Sequence, residues 1–84
     1  IASAATITPV SFLTRITGTT PVSTIVPPVT GAHMLAFLWT TGTSGAFAAT
    51  GGSGSGQVAV AKTTVTNVLV LAVYDPRTTL YYFN

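Results

Sequence analysis

Apolar residues in this chain fall into short runs, and glycine and proline interrupt them at regular intervals, which is the patterning of strands rather than helices. From Ser11 to Thr17, Phe12, Thr14 and Ile16 alternate with Leu13, Arg15 and Thr17, so a strand is expected there. Gly18 to Pro21 reads as a turn, and Val22 to Val26 as a short strand stopped by Pro27-Pro28, because proline lacks the donor a ladder needs. His33 to Thr40 is a third run; Phe37, Trp39 and the flanking glycines favour a strand. From Thr41 to Gly56 small residues surround one large side chain, Phe47, which is expected to anchor a short strand, and Gly51 to Gly56 reads as an exposed loop. Gln57 to Lys62 alternates again. Asn67 to Tyr74 is dense in Val and Leu, Asp75-Pro76-Arg77-Thr78 has turn chemistry, and Leu80 to Phe83 is expected to return as its antiparallel partner.

These elements predict an all-β fold: a small antiparallel β-sandwich or barrel of about six to eight short strands. Residues 11–84 form its single domain, and residues 1–10 are expected to be an extended N-terminal arm.

The dense strand changes the picture from fold to assembly. Val68, Val70, Ala72 and Tyr74 lie on one of its faces and Leu69, Leu71 and Val73 on the other, so both faces are apolar. A chain of 84 residues has no helices to spare as cover for a second face. Sealing about 300 Å² of Leu and Val surface against a neighbouring copy contributes on the order of 7 kcal/mol, comparable to the whole stability of an ordinary domain. Leu69, Leu71 and Val73, or the residues that alternate with them on the other face, are therefore the expected subunit interface, with Tyr81 and Phe83 beside them.

Charge sharpens the same point. Only Arg15, Lys62, Asp75 and Arg77 carry a full charge, 5% of the chain against about 25% in a typical domain. Three scattered cations do not form a phosphate-tracking stripe, so nucleic acid is not an expected partner. No apolar run approaches the roughly 18 to 20 residues of a membrane helix, and Ile1 to Thr6 lack the basic start of a signal peptide. Cysteine is absent, which removes disulfides and thiolate chemistry from the chain.

Catalytic material is equally sparse: one histidine, His33, one acid, Asp75, and no nucleophile-elbow signature around any serine. Neither a catalytic set nor a cofactor or metal site is expected; a symmetry axis gathering copies of His33 is the one metal arrangement the residues allow. His33 reads as a strand-start residue whose ring serves as a hydrogen-bond partner. Trp39, Tyr74, Tyr81 and Tyr82 offer an aromatic platform for a sugar, but aromatics on strands are more often core or subunit contacts.

The stretch Ile16-Thr17-Gly18-Thr19-Thr20-Pro21-Val22-Ser23-Thr24-Ile25-Val26-Pro27-Pro28 precedes an apolar strand and a Gly/Ser/Thr-rich middle. The chain then runs through Val68 to Tyr74-Asp75 and closes on Tyr81-Tyr82. In this order the segments resemble small β-domains of tailed-bacteriophage virion structural proteins. The chain departs from that pattern in its Gly51 to Gly56 loop and at Pro76. The resemblance implies a non-enzymatic virion protein that assembles as a homotrimer. The first expectation is a capsid decoration, or cement, subunit on the capsid surface with the major capsid protein as partner. The alternative is a fibre or receptor-binding tip that recognises a host-surface glycan.

Overall fold

The computed structural model describes residues 1–40, 45–49 and 55–84, and within them the chain is all-β with no helix. Its strands are β1 (Thr6–Ile7), β2 (Leu13–Ile16), β3 (Thr24–Ile25), β4 (His33–Trp39), β5 (Ala46–Phe47), β6 (Gln57–Val58), β7 (Lys62–Thr63), β8 (Val70–Asp75) and β9 (Leu80–Phe83). Seven of them form a curled half-barrel sheet in the order β1-β3-β6-β9-β8-β4-β2, and β5 pairs with β7 in a separate ribbon. The ribbon joins the main sheet through a bridge between Val22 and Phe47. Residues 51–54 of the expected glycine-rich loop lie outside the described residues.

The sheet is mixed, where an antiparallel one was expected. β2 runs parallel to β4, β1 to β3 and β6 to β9. The cause is in the connections: after β2 the chain crosses to β3 and only then returns through residues 26–32 to lie beside β2, entering in the same direction. The β8–β9 hairpin is antiparallel as its turn residues require.

The first seven residues are extended, but they pair within the domain. The Ile1 nitrogen donates to the Arg15 carbonyl at 2.9 Å and Ser3 N–H to the Thr17 carbonyl at 2.7 Å, which places the segment along the outer edge of β2. Three residues after Ser3, β1 begins and pairs with β3 at the opposite end of the sheet order. Residues 1–7 thus strap the two edges of the curled sheet together and cover backbone groups that an open edge would leave to a neighbour.

Inward-facing positions fill the barrel with Ile7, Ile16, Ile25, Leu35, Phe37, Trp39, Phe47, Val70 and both Tyr74 and Tyr81. Phe47 is the centre of the aromatic packing, with ring centroids 5.2 Å from Phe37, 5.9 Å from Trp39 and 4.5 Å from Phe83. That explains why one large residue sits in an otherwise small-residue stretch. Gly45 lies flat against the Trp39 indole, where a Cβ would collide with the ring.

Candidate functional site

Two places in the fold gather the chain's chemistry: a ring cluster at one end of the barrel and the outward face of β2-β4-β8-β9. The cluster forms because β4 opens with His33 directly opposite Tyr74, and the hairpin register sets Tyr81 opposite Tyr74 in turn. The His33 ring stacks on Tyr74 at 5.0 Å and meets Tyr81 edge-on at 5.7 Å. Its Nδ1 lies 2.8 Å from the Gly31 carbonyl, which can only accept, so Nδ1 carries the proton. In the neutral ring Nε2 is then the acceptor for the Tyr81 hydroxyl at 2.8 Å. Tyr74 shares a hydrogen bond with Ser55 Oγ at 3.1 Å.

Both nitrogens of the only histidine are therefore engaged. Asp75 lies on the other face of the sheet from His33, and its Oδ1 accepts from the Arg77 N–H at 2.9 Å, an Asx turn rather than an ion pair with the Arg77 side chain. The two residues that a catalytic triad would need are not brought together. Among the described residues no three His, Cys, Asp or Glu side chains are grouped to hold a metal.

Burial pushes the Tyr81 phenol well above its ordinary range, and the neighbouring Tyr74 adds to the rise. A raised folded-state value means that stability is full below the unfolded phenol pKa of about 10 and falls as pH rises past it. Tyr81→Phe is expected to flatten that alkaline decline while lowering stability at pH 8 by about 1 to 2 kcal/mol, because His33 Nε2 loses its donor. Urea midpoints at pH 8 and at about pH 11 check both halves of this expectation.

The outward face is built by strand alternation. Leu13 and Arg15 point outward from β2 while Thr14 and Ile16 are buried, and Leu71, Val73 and Asp75 point outward from β8 while Val70, Ala72 and Tyr74 are buried. Cross-strand register sets these residues in rows. Leu13 pairs with Ala36 and Ala36 with Leu71; Met34 pairs with Val73 and Val73 with Tyr82. Leu69, Met34 and Val73 remain 51%, 46% and 45% exposed, and Leu13 and Tyr82 are exposed as well. The face is apolar across four strands, and its large side chains remain exposed among the described residues.

Of the residues expected at a subunit interface, Val73 lies exposed on this face, Leu71 is partly covered there, and Leu69 is exposed immediately before β8. Tyr81 does not: it is wholly buried in the core, and Phe83 packs partly buried against that core. The reason is register. A four-residue loop, Pro76 to Thr79, pairs Leu80 with Asp75, which turns Tyr81 and Phe83 inward and Tyr82 outward. Tyr82, Met34 and Leu13 are the members of the face that sequence reasoning missed. The sugar platform dissolves for the same reason, since Trp39, Tyr74 and Tyr81 are buried and only Tyr82 is exposed.

Comparisons with protein-family models, with curated proteins and with solved structures return no match for this chain.

Proposed function

We propose that this chain is a non-enzymatic structural subunit that self-associates through the outward face of β2-β4-β8-β9. The observation that carries the reading is the apolar surface of Leu13, Met34, Val73 and Tyr82, with Leu69 exposed at the entry to β8, on a sheet whose inner face already supplies the core. Exposed patches of this kind mark association surfaces. A soluble domain with four charges needs cover for such a patch. The engagement of His33 and the placement of Asp75 on the opposite face support a role without catalysis.

Within that reading, the resemblance to phage virion domains supports a capsid decoration subunit on the virion surface, and it supplies the expectation of three copies. Incubating the isolated protein with undecorated capsids and, separately, with host cells and host glycans tests the placement. Saturable binding to capsids with no adsorption to cells is the expected result. Binding to cells or glycans alone would overturn decoration in favour of a receptor-binding tip.

A further inference from the structure

Two of the chain's four charges lie on the apolar face, at diagonally opposite ends. Arg15 is outward on β2, paired with Leu38 near the end of β4. Asp75 is outward on β8, one residue beyond the Tyr74–His33 pair at the start of β4. Six residue positions along β4 separate the two levels, about 20 Å, and two strand spacings, about 10 Å, separate them laterally. The Leu13-Ala36-Leu71 and Met34-Val73-Tyr82 rows lie between. Arg77, in the hairpin turn, is not set on this face by strand alternation.

We infer that the face is a two-fold contact with a second copy of this chain, in which Arg15 of each copy meets Asp75 of the other. This rests on the reading of the face as the assembly surface, and it gives that face two copies where the resemblance to phage virion domains implies three. A two-fold axis lying in the contact plane, perpendicular to the line from Arg15 to Asp75, exchanges the two ends, so one apolar patch yields two opposite-charge pairs at its rim. A threefold arrangement with these strands along the axis keeps each residue at its own level. It would gather three arginines at one end and three aspartates at the other, which like-charge repulsion opposes.

Area agrees with this occupant. The exposed parts of the five large side chains amount to about 400 to 500 Å², the apolar share expected of a standard contact of about 800 Å² per partner. Such an interface has an apolar centre and a charged rim, and the rows and the two charges of this face are arranged in that way.

The test uses two variants of the full chain, Arg15→Glu and Asp75→Lys, in analytical ultracentrifugation alone and in equimolar mixture. In a two-fold contact each variant by itself places two like-charge pairs at the rim, and its dimer is expected to weaken about tenfold. Mixing them makes both rim pairs opposite in charge, so the heterodimer is expected to recover wild-type affinity, while Arg77→Ala stays within about twofold. Wild-type dimers with recovery on mixing support the inference. Wild-type trimers, or dimers with no recovery on mixing, overturn the two-fold contact but leave assembly through this face standing. A wild-type monomer overturns both.

Discussion

Gly56→Ala is expected to remove a large part of the folding stability of the isolated domain. Gly56 holds a φ of 85°, in the left-handed region that residues with a side chain adopt only under strain. A Cβ there would run into the Ile25 carbonyl oxygen, which is backbone and cannot swing aside. Neither backbone group of Gly56 is free to move, since its N–H donates to the Thr79 carbonyl and its carbonyl accepts from Ile25 N–H, both at 2.8 Å. Gly56 thereby couples β3 to the start of β9. The combined strain and clash should cost about 3 to 5 kcal/mol, against a total of about 4 to 13 kcal/mol for a domain of this size. Circular dichroism and urea titration check it. Gly31→Ala is the control, because no atom lies within 4 Å of a Cβ at that position, and it should shift stability by no more than about 0.5 kcal/mol.

Val73→Lys is expected to do the reverse: spare the fold and abolish assembly. Val73 is the middle member of the Met34-Val73-Tyr82 row of the outward face and is 45% exposed in the single chain, so a lysine there remains solvated in the monomer. In the assembly it would bury an ammonium group among apolar side chains, at a cost of about 3 kcal/mol or a hundredfold in affinity. Val60→Lys provides the comparison. Val60 is more exposed still but belongs to the bend after β6, outside the four strands of this face, and its substitution should leave assembly unchanged.

The parts of this fold that local chemistry determines were legible in the sequence. The Asp75-Pro76 turn and the Leu80–Phe83 return strand are where the residues put them, and Phe47 does anchor a two-residue strand. The two apolar faces of β8 were also readable, because period-two alternation assigns each residue to a face without knowing its partners. What could not be read was long-range. Parallel pairing of β2 with β4 depends on where a crossover returns, and no residue in either strand encodes it. Nothing in Ile1 to Ile7 distinguishes a free extended arm from a strap bonded to Arg15, Thr17 and β3.

The adjacent tyrosines show the limit most clearly. Tyr81 and Tyr82 are chemically identical, and one is core while the other is surface, solely because the loop before them has four residues. That loop closes on Thr79 with a φ of 58°, a conformation that β-branched residues disfavour, so the turn length had no glycine or asparagine to announce it. The Asp75 carbonyl accepting from Thr79 N–H at 2.7 Å holds the conformation in place.

If the outward face of β2-β4-β8-β9 is an assembly surface, the mass of the protein in solution must exceed that of one chain. Light scattering on the wild-type chain at micromolar concentration should give a multiple of the chain mass, two copies for the contact inferred from Arg15 and Asp75, and Val73→Lys should give the mass of one. A folded wild-type chain that remains a monomer at that concentration would rule out assembly through this face.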